Sequence, residues 1–295
     1  MANIDFYTKK NLYVEITKAL TDSVSKLSST NNEPDFVANV VCNLPPKLKD
    51  ILKTCIPHLK FKVCGCFIHN TPKMEFCKRK KFQSAELGDL LIVYKEESKD
   101  GDKLYNALLL QAKKIDYAKT VDKRFCSKVS GNPTQLILYT KWPKFRYTQP
   151  ASLASQTRDI YPKTIHNGAQ YLLINPYQPV VEFWCSTANN KLCASYSFAS
   201  QIIRLLEFQS GDAFVEKPPK KDGWSTMIWD LLQMTCSASF NQKNQFFKKS
   251  RTSGDSILLD FMNIVGDGSS CAITSNGDYG IPLIYIEAEE SSTNL

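Results

Sequence analysis

Two apolar runs joined by one turn signal constrain this chain more than any other feature. Residues 87–94 (LGDLLIVY) and 104–112 (LYNALLLQA) are each of strand length, and the polar stretch Lys95 to Lys103 between them contains Asp100-Gly101. Two such runs around a glycine turn read as a β-hairpin. Both strands are apolar on both faces, so they belong at the centre of a sheet that is covered on each side. The expected fold class is therefore α/β, a mixed central sheet flanked by helices.

The rest of the pattern supplies the covering elements. Helical spacing links Leu12, Tyr13, Ile16, Leu20, Val24 and Leu27, and then Phe36, Val37, Val40, Val41 and Leu44. Pro34 suits a first helical position with Asn32 or Glu33 near the cap, and Pro45-Pro46 is expected to interrupt this second helix. Residues 59–68 read as a strand and Lys78-Arg79-Lys80-Lys81 as a basic loop. Asn132-Pro133 opens a short helix that stops before Pro143, with a strand as the alternative. The stretch 144–168, rich in aromatic, Pro and Ser residues, reads as loop. Residues 171–174 and 180–185 read as strands, and 197–208 and 224–234 as helices. Short strands and turns make up the remainder, ending in IPLIYIEA (281–288).

With 295 residues, 43% hydrophobic and 22% charged, the chain can bury a core unaided and is not of disordered composition. No apolar run approaches the length of a membrane span. The start Met1-Ala2-Asn3-Ile4-Asp5 lacks a secretory pattern, so the ten cysteines are expected to be reduced thiols and the location cytoplasmic. Charge is unevenly placed. Residues 1–150 hold 26 Lys and Arg against 15 Asp and Glu, an excess of +11, while residues 151–295 hold 11 against 14, or −3. A basic half fits a polyanion partner, nucleic acid first.

The hairpin carries the chemistry. Glu86 and Asp89 open its first strand, and Gln111-Ala112-Lys113 close its second. Hard oxygen donors that hold Mg²⁺ or Mn²⁺ beside a lysine are the parts that phosphodiester hydrolysis needs. Register decides whether they meet. A two-residue turn would set Asp89 opposite Ala112 and turn Gln111 and Lys113 to the other face. A three-residue loop, Lys99-Asp100-Gly101 with Gly101 left-handed, sets Asp89 opposite Gln111 with Lys113 on the same side. The glycine in third position favours the second arrangement.

Gly88-Asp89, the hairpin and Gln111-Ala112-Lys113 resemble the PD-(D/E)xK nuclease superfamily, the restriction-endonuclease-like fold. Gln135-x-x-x-Tyr139 is similar to the QxxxY motif of its RecB and lambda-exonuclease branch. The resemblance covers roughly residues 35–185. It implies a restriction-endonuclease-like nuclease core with N-terminal helices over 1–190 and a C-terminal α+β extension over 191–295, in the same compact body or apart. It further implies a metal held by Asp89, the Gln111 side chain and the Ala112 carbonyl, with Mg²⁺ or Mn²⁺ as cofactor. Lys113 becomes the catalytic lysine. Gln135 is expected to bond the active-site loop, and Tyr139 to lie near the phosphate. Glu86 adds to the metal or a water, and Glu33 or Glu15 is a further acid. Two departures stand out: Gln111 replaces the usual acid, and Gly88 replaces the Pro before Asp. The expected activity is a metal-dependent nuclease acting on DNA in prokaryotic defence or restriction, alone or with a protein partner or as a homo-oligomer. The alternative is a nuclease-like module that binds nucleic acid or a partner protein without cutting.

Plainer roles fit the same residues. Asp89 and Lys113 suit a salt-bridged pair at strand ends, and Gln135 and Tyr139 suit an exposed amide and a packed aromatic. Lys78, Arg79, Lys80 and Lys81, with Lys114, Lys119, Lys123 and Arg124, are either nucleic-acid contacts or a solvated surface. Trp142, Phe145, Arg146 and Tyr147 suit base stacking or core packing. Cys64 and Cys66, with Cys77, His58 and His69, read as a reduced strand rather than a zinc site. His166 reads as an exposed loop residue.

Overall fold

The computed structural model describes residues 4–115, 126–128, 133–189, 191–243, 254–273 and 278–290. Helices α1 (Phe6–Ser23) and α2 (Glu33–Cys55) lead into β1 (Leu59–Ile68), then β2 (Lys73–Lys78), β3 (Lys81–Glu86), β4 (Leu90–Glu97) and β5 (Lys103–Lys114). Next come β6 (Cys126–Lys128), α3 (Pro133–Lys141), β7 (Phe145–Gln149), β8 (Thr157–Arg158), β9 (Ala169–Asn175) and β10 (Glu182–Thr187). They are followed by β11 (Lys191–Cys193), β12 (Tyr196–Ser197), α4 (Phe198–Leu206) and β13 (Asp212–Phe214). The last elements are α5 (Gly223–Lys243), α6 (Asp255–Val265), β14 (Ser270–Ile273) and β15 (Leu283–Glu290).

The central sheet runs β12-β10-β9-β5-β4-β15-β1-β14, with β13 also paired to β5. It is mixed: β4 is antiparallel to β5 and parallel to β15, and β5 is parallel to β9. Both faces are buried, as the two apolar runs require. Leu90, Ile92, Leu108 and Leu110 pack in one core with residues of α1, α2 and α4. Leu91, Val93, Ala107 and Leu109 pack in the other with residues of α3, α5 and α6. The portion after residue 190 supplies β15, which lies between β4 and β1. Among the described residues no helix is long and apolar enough to cross a membrane.

The hairpin loop has the three-residue form. Gly101 is left-handed (φ +83°), its N–H donates to the Ser98 carbonyl at 3.0 Å, and Ser98 N–H donates to the Asp102 carbonyl at 3.0 Å. The register runs from Glu97 opposite Lys103 to Leu90 opposite Leu110.

Four expectations need correction. Helix α2 continues through Pro45 and Pro46. A helical proline leaves the carbonyl four residues earlier without its donor. The orphaned Cys42 carbonyl accepts the Ser270 hydroxyl, and the Val41 carbonyl lies against Gly65 of β1. Second, residues 144–168 contain β7 and β8, which join β2 and β3 in a four-stranded sheet ordered β3-β2-β7-β8. Its basic cluster is a hairpin tip: Lys78 and Lys81 pair, and Arg79 and Lys80 make the turn with φ of +48° and +63°. Third, residues 255–265 form α6, because Ile257, Leu258, Phe261, Met262 and Val265 repeat at helical spacing and are buried. Fourth, His166 is buried. Its Nε2 lies 2.7 Å from Asp212 and its ring packs at a tilt against Trp224, 4.6 Å between centroids.

A Cβ at Gly65 would strike the Val41 carbonyl and, at 2.8 Å, Pro45. Gly65→Ala is expected to lower unfolding free energy by about 1–3 kcal/mol, the usual effect of overpacking. Urea unfolding measures it, and an unshifted midpoint would refute the tight α2–β1 contact.

Candidate active site

One end of the central sheet gathers the polar residues. Strands β4 and β15 begin there and the antiparallel β1 and β5 end there. A cleft of about 420 Å³ opens at this end, lined among others by Glu33, His69, Glu86, Asp89, Gln111 and Lys113. Ala112 and Gln135 also border it.

Asp89 is held by its neighbours across the hairpin. Its N–H donates to the Leu110 carbonyl at 2.8 Å, while its Oδ2 accepts the Ala112 N–H at 2.8 Å and the Gln111 side-chain amide. Gln111 is buried, and its Oε1 accepts Gln135 Nε2 at 2.7 Å. Gln135 thus reaches down from α3 to fix the Gln111 amide plane. One turn later Tyr139, four residues on and on the same helical face, donates its hydroxyl to the Leu87 carbonyl at 2.8 Å. Tyr139 is therefore buried beneath the Leu87-Gly88-Asp89 corner, away from the cleft. The corner packs closely at Gly88, where a Cβ would come within 2.7 Å of Leu109 Cδ1 and 3.1 Å of the Tyr139 hydroxyl.

The first turn of α2 supplies the second acid. The Asn32–Asp35 capping box starts that helix, and Glu33 projects toward the end of β5. Its Oε1 accepts the Lys114 N–H at 2.7 Å and its Oε2 lies 3.4 Å from Lys113 Nζ. Glu15, on α1, is exposed and does not border the cleft.

Electrostatics distinguish Asp89. Burial pushes its carboxyl up to about 7. Lys113 and the Ala112 N–H pull it down, while Glu86 and Glu33 push it further up. The cleft thus concentrates more negative charge than its lysine offsets. Its donors are hard oxygens: the carboxylates of Asp89, Glu33 and Glu86, the Gln111 amide and the backbone. That chemistry fits Mg²⁺ or Mn²⁺. Among the described residues, no three His, Cys, Asp or Glu are grouped to hold a metal by themselves, so a bound ion would take amide or carbonyl oxygens too.

Compared with known protein families, curated proteins and solved structures, the chain matches none. The site must be read from its own residues.

The structure brings together Asp89, Gln111, Ala112, Lys113, Glu86 and Gln135, and sets Tyr139 behind them. Lys78, Arg79, Lys80 and Lys81 are exposed; five residue steps along β3 carry the chain from Lys81 to Glu86, about 17 Å. Lys114 is occupied elsewhere: its ammonium donates to the Ser29 carbonyl and, at 3.0 Å, to that of Asn31. It therefore ties down the α1–α2 connection. Lys119, Lys123 and Arg124 lie outside the described residues. Trp142, Phe145 and Tyr147 are core residues, so none offers a stacking face. Cys64 and Cys66 are buried in β1, and Cys77 is exposed on β2. Sequence reasoning did not place His69 at this cleft. It follows β1, and its place at the cleft comes from the antiparallel pairing of β1 with β15, over 200 residues away, which no local pattern announces.

The raised Asp89 carboxyl has a measurable consequence. Between the ordinary aspartate value of 3.8 and about 7 the unfolded chain has lost this proton and the folded chain keeps it, so stability falls as pH rises through that window. In EDTA, Asp89→Asn is expected to gain Tm relative to the parent from pH 5 to pH 8. A Tm difference that does not change with pH would overturn the assignment.

Proposed function

We propose that this protein is a metal-dependent nuclease of the restriction-endonuclease-like, PD-(D/E)xK kind, hydrolysing phosphodiester bonds in DNA. The observation that carries the reading is the meeting of Asp89, Gln111 and Lys113 on one side of the β4–β5 hairpin, with Gln135 of the QxxxY pair bonded to Gln111. A mixed sheet with this hairpin at its centre supports the same fold assignment.

Asp89 and the Ala112 carbonyl would hold Mg²⁺ or Mn²⁺, with Glu33 and Glu86 adding charge; the Gln111 oxygen, which faces Gln135 while its nitrogen faces Asp89, would add to the ion only through the lone pair that Gln135 leaves open. The ion would neutralise charge developing at phosphorus and lower the pKa of a bound water. Lys113 stands at the cleft rim, half-buried, with Glu33 at 3.4 Å. From there it orients the attacking water and steadies the extra negative charge on the phosphate. Gln135 keeps the Gln111 amide from rotating. Tyr139, through the Leu87 carbonyl, keeps the corner that aims Asp89.

A non-cutting module is the second reading, and one observation favours it. The Gln111 amide bridges Asp89 and Gln135 as donor and acceptor, a chain that occupies Asp89 Oδ2 without an ion.

Cleavage of plasmid and oligonucleotide DNA in Mg²⁺ and Mn²⁺ separates the two. The nuclease reading expects cutting that Asp89→Ala and Lys113→Ala each reduce at least about 100-fold, the scale of losing one preorganised charge-stabilising group. DNA binding without cutting in either metal would establish the module. A companion substitution tests the departure at residue 111. Gln111→Glu keeps an acceptor for Gln135 and adds a negative charge, so Mn²⁺ is expected to raise the variant's Tm more than the parent's. An equal shift would exclude residue 111 from the ion's surroundings.

A further inference from the structure

The small sheet β3-β2-β7-β8 carries an exposed ring that neither the proposed metal chemistry nor the core accounts for. Phe82, on β3, is 63% exposed. The strand pairing places it opposite Cys77, and Glu75 opposite Arg146 of β7. Phe82, Glu75 and Arg146 therefore share the outward face of the sheet, while Met74, Phe76, Ala85, Phe145 and Tyr147 fill the inward one. Arg146 bonds Glu75 through its Nε and lies over the Phe82 ring at 5.2 Å from the centroid. One side of the ring is thus backed by a guanidinium, and the exposure belongs to the rest.

Phe82 is also the first residue past the basic hairpin tip. Lys78, Arg79, Lys80 and Lys81 are all exposed, and none forms an ion pair among the described residues. Strand alternation turns Lys78 and Lys81 to the other face of the hairpin, which leaves the turn residues Arg79 and Lys80 beside the Phe82 face; cations next to an exposed ring suit a polyanion that also offers flat rings. Residues 82, 84 and 86 point to one side of β3, so Glu86 at the cleft and Phe82 stand on the same face about 13 Å apart.

We infer that Phe82, backed by Arg146 and next to the Arg79–Lys80 turn, is a stacking platform for an unpaired base of single-stranded nucleic acid whose backbone runs on to the cleft. In a duplex both faces of each base are covered by neighbours, so an exposed ring on a strand has nothing to stack on. An unpaired base offers its face to any aromatic whatever its identity. The tip cations hold the phosphates and carry no sequence information. The preference is for single strands, overhangs or frayed ends over closed duplex. This inference names the substrate form for the nuclease reading and rests on it.

Binding without cutting keeps the two claims separable. Fluorescence anisotropy of a labelled DNA 20-mer, single-stranded and as duplex, is measured with the full chain in EDTA. The parent is expected to prefer the single strand. Phe82→Ala is expected to lose roughly tenfold on the single strand, the scale of one stacked base, and little on the duplex. Phe82→Trp should restore it, which a merely structural role would not predict. Lys80→Ala with Lys81→Ala should weaken both forms and flatten the salt dependence. Equal loss on both forms, or no loss with Phe82→Ala, overturns the platform even if the protein cuts DNA. A parent that binds neither form overturns the platform and the nucleic-acid reading together, whereas single-strand preference without cleavage in Mg²⁺ or Mn²⁺ retains the platform and removes the nuclease.

Discussion

The register of the β4–β5 hairpin governs everything at the cleft, and the hydrophobic pattern does not set it. In most strands one face is polar, so a one-residue slip buries the wrong side chains. Here Leu90 and Ile92 face one core and Leu91 and Val93 the other, and a slip would merely exchange one apolar set for another. The choice falls to the loop and to a few polar anchors. Gly101 closes a three-residue turn that Asp100 or Lys99 in its left-handed position would strain. Asn106 adds a second pin, donating to the Leu205 and Ser210 carbonyls at 3.0 and 2.8 Å. Asp89 and its two acceptor bonds form the third.

These anchors make the cleft a cooperative unit. Tyr139 holds the Leu87 carbonyl, Gln135 holds Gln111, and Gln111 and Ala112 hold Asp89. Most of this chain is buried, where a lost partner leaves a polar group unpaired at about 1–3 kcal/mol. Helix α3 is thus fastened to the sheet through the two residues, four apart, that also shape the site. Rigidity here comes from polar bonds together with the buried Leu87 side chain at the corner.

Legibility in the sequence followed the range of the forces involved. The hairpin, its glycine and the QxxxY spacing are local, and they were readable. The run of α2 through Pro45-Pro46 was not, since the relief comes from Ser270, more than 200 residues away in the chain. His166 looked exposed because Asp212 and Trp224, its partners, are distant in sequence. Phe145 and Tyr147 sit between Pro143 and Pro150, and a five-residue strand there carries too little alternation to stand out from loop. At the site, Asp89, Gln111 and Lys113 could be paired from loop length alone. Glu33 needed the packing of α2, and Tyr139's position below the corner needed the Leu87 carbonyl.

The charge distribution closes the argument. An acidic recess holding Asp89, Glu86 and Glu33 repels phosphate, and burial already pushes Asp89 toward its protonated form. The β2–β3 hairpin tip is the opposite: Lys78–Lys81 are exposed and form no ion pair among the described residues, and in the proposed reading they draw phosphate in. A polyanion gathered by such a tip cannot seat against three carboxylates unless positive charge stands between them. Lys113 supplies one unit, already shared with Glu33 at 3.4 Å. In the proposed reading a divalent cation supplies the rest, and the replacement of an acid by Gln111 is the adjustment that leaves the recess one negative charge lighter and the amide free to be gripped by Gln135.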